Sequence, residues 1–321
     1  MQVRNSDDAS VMLSLRGLRK SYGDLVAVRD LSLDIRRGEV FGFLGPNGAG
    51  KTTTIKMICG LLQADAGEIM IEGRSLKEDY RACKRRMGLC PENLVIWENL
   101  TCLEQLTFLG QQYDLGRKAA RARAARLLED FHLTDRSHKL AKTLSSGMKR
   151  RLNLALALVH DPEITILDEP QAGLDPQSRI LVREYIRSLA KHKTVVLTTH
   201  DMDEVDRLAD RVGIIDHGEL LVLDTPNNLK SRQGAGEILE IQFADDPEAK
   251  LLALWPTFPA SLQQGIYTEG RLRMTDLETV DVLPTLLEAF QGAQIEVLDI
   301  TIRKRTLEDV FIDLTGRRLR E

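Results

Sequence analysis

The octapeptide GPNGAGKT (Gly45–Thr52) constrains this chain more than any other stretch. It fits the pattern G-x-x-x-x-G-K-[ST]. It also lies between a predicted strand, EVFGFLG, and a predicted helix running from Lys51 to Leu62. Glycines let backbone N–H groups turn inward around an anion where a Cβ would clash. The helix behind the loop adds about half a positive charge at its N-terminus. Lys51 is then placed to reach terminal phosphates, and the Thr52 hydroxyl to sit on Mg2+.

A second chemical feature lies further along. ITILDEP ends a buried-type strand (164–168) on Asp168 and Glu169. In open α/β sheets, a carboxylate at the C-terminal end of a strand faces the crevice where ligands bind. Asp168 suits the Mg2+ shell, through water. Glu169 is placed to polarise an attacking water as general base. Two adjacent carboxylates repel, so a cation must stand between them and solvent.

Residues 12–44 alternate like strands, with turns at Tyr22-Gly23-Asp24 and Arg37-Gly38. Residues 98–160 are mainly helical in pattern. Three buried-type strands, 164–168, 194–199 and 212–216, alternate with helices and predict a parallel sheet. The stretch KSRQGAG (230–236) breaks this pattern. Beyond it the pattern gives a strand (237–243), a hairpin turning at Glu269-Gly270, a helix over 280–290 and a strand over 294–304. A last helix follows, with a capping box from Thr306 to Asp309 and Gly316 as its stop. The expectation is an α/β domain over 12–232, its helical subdomain at about 98–160, and a small α+β domain over 236–321.

Composition excludes more than it assigns. A length of 321 residues suggests two domains, or one large domain with an appendage. A net charge of −4 gives no electrostatic reason to expect a nucleic-acid partner. Cys59, Cys83, Cys90 and Cys102 show no CxxC spacing and read as free thiols. The N-terminus lacks an apolar core of the secretory type, and no stretch approaches the ~18–20 apolar residues of a membrane span. The chain alone is not expected to form a channel.

LSSGMKRRL (144–152) poses the remaining question. A Ser-Ser-Gly turn opening a helix is a second anion-binding end. Within a domain that already holds a phosphate loop it is redundant. Between two copies packed head to tail it is not, because each would cap the other's γ-phosphate with Ser145, the Gly147 backbone and the helix dipole. Hydrolysis would remove that bridge.

Here the chain resembles the ATP-binding cassette family, the nucleotide-binding subunits of ABC transporters, over roughly residues 12–232. Tyr22, in SYGD, matches the aromatic that stacks on adenine. Gly45, Pro46, Asn47, Gly48, Ala49, Gly50, Lys51 and Thr52 match Walker A, and Thr53 continues that ATP-binding stretch. CPEN (Cys90–Asn93) falls at the Q-loop, with Glu92 where the family usually has Gln. That glutamate can still reach Mg2+ or its water, but it adds negative charge near the phosphates. Leu144, Ser145, Ser146, Gly147 and Met148 match the signature. Ser146 and Met148 depart from its usual LSGGQ, and Ser146 fits only if no positive φ is needed there. ILDEP matches Walker B, with Glu169 as the catalytic glutamate. AGLDP (Ala172–Pro176) matches the D-loop, which puts Asp175 at a subunit interface. TTHD puts His200 at the switch position, against the γ-phosphate. A lone Tyr or His is more often structural; seven motifs in family order carry the assignment.

The resemblance implies a P-loop NTPase cassette with a mixed core sheet, a helical subdomain and an N-terminal antiparallel sheet. It implies ATP and Mg2+ as cofactors and ATP hydrolysis coupled to transport. The partners it implies are a second cassette, read as a homodimer, and separately encoded transmembrane permease subunits, at the cytoplasmic face of the cell membrane and without nucleic acid. TLEDVFIDLTGRRLRE resembles the tail of ATPase subunits in the drug-resistance and lipid or polysaccharide exporter branch, which favours export. The alternative is a soluble cassette ATPase acting on the ribosome, DNA or an assembly complex. A kinase would share the phosphate loop but leave LSSGM and His200 unexplained. Three segments keep two readings each. GRKAARARAARLLED (116–130) is either a solvated amphipathic face or a contact for anionic lipid or a membrane subunit. ENLVIWENLT (92–101) is either a partner-coupling surface, with Ile96 and Trp97 buried there, or core. The C-terminal domain is a dimerisation, regulatory or docking element, or a stabilising extension.

Overall fold

The computed structural model describes residues 10–231, 237–258, 265–268, 270–277 and 279–315. The chain divides into two compact units after Thr225. In the first, the elements are β1 (Val11–Tyr22), β2 (Leu25–Arg36), β3 (Val40–Leu44), α1 (Lys51–Ile58), β4 (Ala66–Ile71), β5 (Arg74–Ser75), α2 (Tyr80–Arg85) and β6 (Met87–Cys90). There follow α3 (Cys102–Gln112), α4 (Arg117–Asp130), α5 (Ser146–Leu158), β7 (Ile164–Asp168), α6 (Pro176–Ala190), β8 (Thr194–Thr199), α7 (Met202–Leu208), β9 (Arg211–Asp216) and β10 (Glu219–Asp224).

Two sheets share one core. The N-terminal sheet is antiparallel, in the order β2-β1-β4-β5. The central sheet is mixed, in the order β10-β9-β3-β8-β7-β6, with only β10 antiparallel to its neighbour. Every residue of β3, β7 and β8 is buried, as expected of parallel strands covered on both faces. Leu13 and Leu15 of the first sheet pack with Phe41, Phe43, Ile55 and Ile166 of the second layer. The strand order positions the chemistry. β8 lies between β3 and β7, so Gly45, His200 and Glu169 leave three adjacent strands at the same edge.

Several elements differ from expectation. α1 stops at Ile58 rather than Leu62, because Gly60 turns left-handed (φ 65°) and Leu61 N and Leu62 N fold back onto the Lys56 carbonyl. β4, β5, β6 and β10 are strands that alternation does not reveal. β6, for example, is only MGLC after a basic run, too short to show a period. The helical stretch is three helices, with 3-10 turns at Thr134–Arg136 and Ala141–Thr143 between α4 and α5. Thr101 and Glu104 form a reciprocal cap at the start of α3. All four cysteines are free and buried, and burial pushes the Cys59 thiol up to about 12 and the Cys90 thiol to about 11.

The second unit contains α8 (Pro226–Ser231), β11 (Glu237–Phe243), α9 (Glu248–Leu254), β12 (Ile266–Thr268), β13 (Arg271–Leu277), α10 (Thr279–Gly292), β14 (Val297–Lys304) and α11 (Leu307–Thr315). Its sheet is antiparallel, in the order β12-β13-β11-β14. Leu239, Ile241 and Phe243 of β11 pack with Leu272, Leu286 and Phe290. Of the expected turn and stop residues, Glu269 and Gly316 lie outside the described residues. The capping box at α11 forms: Thr306 N donates to Asp309 Oδ2 at 2.8 Å, and Asp309 N to Thr306 Oγ1 at 3.3 Å.

Asp309 is also the hub of this unit. It is 2% exposed and accepts from Arg273 at 2.7 Å and from Arg303 at 2.6 and 2.9 Å. Burial works against its charge, but the Arg303 guanidinium and the Thr306 donors outweigh burial and hold the carboxyl at about 2. A carboxyl lowered by folding contributes stability above its unfolded value, about 3.9, that fades as pH falls towards 2. The Asp309→Asn variant is therefore expected to lose on the order of 2 kcal/mol at pH 7, with the gap from the parent narrowing below pH 4. Urea unfolding at pH 7 and pH 2.5 checks this; equal midpoints at pH 7 would sink it.

Candidate functional site

At the common strand edge lies a cleft of about 310 Å³. Tyr22, Asn47, Gly48, Gly50, Lys51, Thr52, Thr53, Glu92, Glu169 and His200 all line it, together with Leu25 and Ala27. The cleft thus gathers residues from the β1–β2 hairpin, the loop after β3, the turn after β6 and the ends of β7 and β8. Tyr22 is 49% exposed, a ring available for stacking, with Lys20 Nζ 6.0 Å from its centroid.

The loop after β3 is shaped by close approach. A Cβ on Gly50, at φ 101°, would stand 2.4 Å from the Ala27 carbonyl, so only glycine fits. Lys51 is 6% exposed, and its ammonium donates to Gly45 O at 2.7 Å and Pro46 O at 3.0 Å. Ala49 is buried beneath the loop. Burial pulls the Lys51 pKa down, while Glu169, Asp168 and Glu92 push it back up. One buried cation thus faces three carboxylates, and an anion arriving there meets a positive loop rimmed by negative charge.

Asp168 is 3% exposed. Its Oδ1 accepts a short hydrogen bond from Thr198 Oγ1 and lies 3.5 Å from Thr52 Oγ1. The Thr52 hydroxyl and the Asp168 carboxylate are hard oxygen donors of the kind that suits Mg2+; Thr52 and Glu92 line the cleft, and Asp168 is not among its lining residues. Glu169 sits at φ 47°, left-handed for a non-glycine residue. Its N–H donates to Thr198 O at 3.1 Å and Thr198 Oγ1 at 3.2 Å, and its Oε1 lies 2.9 Å from His200 Nδ1.

The signature residues go elsewhere. Leu144–Met148 do not line the cleft of their own chain. Ser145 caps α5, accepting from Met148 N at 3.3 Å. Ser146 begins the helix and needs no positive φ, so its departure from glycine carries no backbone strain. A Cβ on Gly147 would stand 3.1 Å from Ser178 Oγ and 3.4 Å from Asp175 Oδ2, so the turn abuts the start of α6. Asp175 caps α6, accepting from Ser178 N at 3.0 Å and Ser178 Oγ at 2.7 Å.

Comparison with known proteins decides the family. Residues 28–172 match the family model described as ABC transporter. The linearmycin resistance ATP-binding protein LnrL of Bacillus subtilis is 37% identical over 97% of this chain and 100% of its own length. The daunorubicin resistance ATP-binding protein DrrA3 of Streptomyces coeruleorubidus is 37% identical, over 98% and 99%. The chain belongs to the ABC transporter family. The Nod factor export ATP-binding protein I of Ralstonia nicotianae is 36% identical over 97% of this chain and 95% of its own length. Among solved structures, an ATP-binding subunit of an ABC transporter matches at a TM-score of 0.64 and 30% identity, over 69% of this chain and 92% of that one. The structure of cbiO1 from Clostridium perfringens, part of the ABC transporter complex cbiONQ, matches at 0.62 and 26%, over 70% and 92%.

This cassette is thus an ATP-hydrolysing, ATP-binding subunit of an exporter-type ABC transporter, with ATP and Mg2+ as its ligands. Subunits of this family dimerise and work with separate transmembrane subunits. Among the described residues, no helix is long and apolar enough to cross a membrane. The similarity to the resistance and export proteins runs through nearly the whole chain, so it takes in the second unit as well.

Sequence reasoning missed four contributors. Leu25 and Ala27 line the cleft; their place directly after SYGD was the available signal. Thr198 holds both Asp168 and Glu169, and is the first Thr of TTHD. Arg150, which is buried, has no signal in composition, since it is one of three basic residues in a row.

Proposed function

We propose that ATP is bound and hydrolysed at a site completed by two copies of this chain. Tyr22 stacks on adenine. Lys51, Thr52, Thr53 and the backbone of Gly45–Gly50 hold the phosphates. Thr52, Asp168 and Glu92 face Mg2+, which when bound draws charge from the phosphate oxygens. Glu169 accepts a proton from the attacking water. His200, paired to Glu169 through Nδ1, leaves Nε2 for the γ-phosphate and keeps the carboxylate aimed. The partner's signature turn, Leu144–Met148, closes the far side with its helix N-terminus, and Asp175 lies at the seam.

The observation that carries this reading is the separation of two anion sites on one chain. The cleft is lined by every nucleotide-facing motif except the signature. The signature turn instead opens a 13-residue helix capped by Ser145, and none of Leu144–Met148 lines that cleft. A second copy in head-to-tail arrangement unites them, and we read the pair as a homodimer.

We place the cassette domain at 12–232 and the accessory domain at 236–321, with the subunit peripheral on the cytoplasmic face of the membrane. The transmembrane partner docks beside the Q-loop. Leu94, Val95, Trp97 and Phe108 are exposed there, and the Trp97 and Phe108 rings meet edge-on at 5.8 Å, forming an apolar surface next to Glu92. α4 supports a solvated basic face: Ala120, Ala124, Leu127 and Leu128 point inward while Arg117, Lys118, Arg121 and Arg126 are exposed. The names of the relatives, which concern linearmycin and daunorubicin resistance and Nod factor export, favour export. Affinity purification of tagged Glu169→Gln protein from detergent-solubilised native membranes, with Mg-ATP present, tests the docking. A multi-span membrane protein in stoichiometric yield is expected. Recovery with ribosomes or a purely soluble complex would contradict it.

A further inference from the structure

Arg150 is 3% exposed, a buried cation that bonds to the main chain of the segments carrying the site residues. All five of its N–H donors are used, and every acceptor is a main-chain carbonyl. Nε donates to Pro170 O at 3.1 Å. Nη1 donates to Pro91 O at 2.8 Å and Glu92 O at 2.7 Å, and Nη2 to Asp168 O at 2.8 Å and Glu169 O at 2.5 Å. A planar guanidinium can serve five converging carbonyls at once; an ammonium, with three donors, cannot.

The five carbonyls come from two segments, the turn after β6 that carries Glu92 and the end of β7 with the turn after it, which carry Asp168, Glu169 and Pro170. The guanidinium stands on a third element, the helix α5 that begins at the signature. Asn153, on the same face of α5, adds to the first link: its Oδ1 accepts from Val95 N at 3.1 Å and its Nδ2 donates to Pro91 O at 3.4 Å.

Glu169 needs such a hold. Its left-handed backbone costs about 1–2 kcal/mol for an L-residue, and strain of this kind persists only where surroundings over-determine it. Its N–H is fixed by Thr198, its carboxylate by His200 and its carbonyl by Arg150. A buried charge answered only by dipoles is a poor device for stability alone, because desolvation offsets much of the gain. What it supplies is a fixed geometry among three segments.

We propose that Arg150 is a positioning residue that locks the backbones of Glu92 and Glu169 to helix α5, so that the seating of α5 against the partner's nucleotide sets the aim of the general base. The inference rests on the reading of Glu169 as that base. Arg150 touches no substrate and acts through Glu169.

The test is a double-mutant cycle on the full chain, with ATP turnover and equilibrium Mg-ATP affinity measured for Arg150→Lys, Glu169→Gln and the pair. Arg150→Lys is expected to lower kcat by about 10-fold or more while KM for ATP shifts less than about 3-fold. In the Glu169→Gln background the same change is expected to cost less than about 2-fold, since the aim of an absent base no longer matters. A multiplicative further loss in that background, or an unchanged kcat for Arg150→Lys, overturns the proposal. Arg150→Gln is carried in parallel, and retained Mg-ATP binding identifies the variant that folds and is scored. If Glu169→Gln alone keeps near-parental turnover, the general-base reading fails instead, and the two failures are distinct.

Discussion

Replacing Glu169 by Gln is expected to slow ATP hydrolysis by about 10²-fold or more, the scale of losing a general base, while Mg-ATP affinity stays within a few-fold of the parent. The substitution keeps the side chain's size and can keep a contact to His200, now 2.9 Å from Oε1. It replaces the carboxylate proposed to take a proton from water with a neutral amide. Steady-state phosphate release and an equilibrium nucleotide titration separate the two effects. Near-parental turnover would take Glu169 out of that role, and a lost affinity would mean that it holds nucleotide rather than activates water.

The second large effect is expected at Lys51. Its ammonium is the buried cation set against Asp168, Glu169 and Glu92, and it donates to two carbonyls of its own loop. Phosphate oxygens are better acceptors than those carbonyls, so the side chain has only to turn to them. Lys51→Ala should weaken Mg-ATP binding by about 10- to 100-fold, the worth of a charged hydrogen bond near a buried site. Some of that loss arises because three carboxylates then face the phosphates without an answering cation. Fluorescent-nucleotide titration checks it, and unchanged affinity would contradict the placing of the phosphates in this loop.

Both effects concern residues that a sequence exposes readily, and the reason is physical. A phosphate loop demands glycine where backbone meets backbone, as at Gly50 against Ala27, and demands lysine at one spacing. A strand ending in Asp168-Glu169 advertises itself by an apolar run that stops on charge. The parallel strands over 164–168 and 194–199 of the central sheet, the helical stretch and the strand over 237–243 were legible for the same reason, since apolar period and turn chemistry agree there, whereas the antiparallel β10 that makes the sheet mixed was not. Short elements escaped, because four residues such as Met87–Cys90 carry no measurable period.

The run Lys149-Arg150-Arg151 marks the limit most clearly. Three adjacent basic residues look alike in sequence, yet each meets a different environment. Lys149 pairs with Glu98 at 2.9 Å, Arg151 reaches the Phe131 carbonyl at 2.9 Å, and Arg150 turns inward to five carbonyls. Only the phase of α5, which sets Arg150 one turn before Leu154 on the buried face, separates them. The same helix start resolves Ser146: with Ser145 as the cap, position 146 takes ordinary helical backbone and glycine is not required.

The account turns on a site completed by a second copy, and sedimentation of purified Glu169→Gln protein with and without Mg-ATP tests that most directly. Nucleotide that is bound but scarcely hydrolysed should hold two chains together, so the protein is expected to sediment as a dimer with Mg-ATP and as a monomer without it. A monomer at saturating Mg-ATP, with binding verified in the same sample, would contradict the account and leave the Ser145–Gly147 turn without its nucleotide.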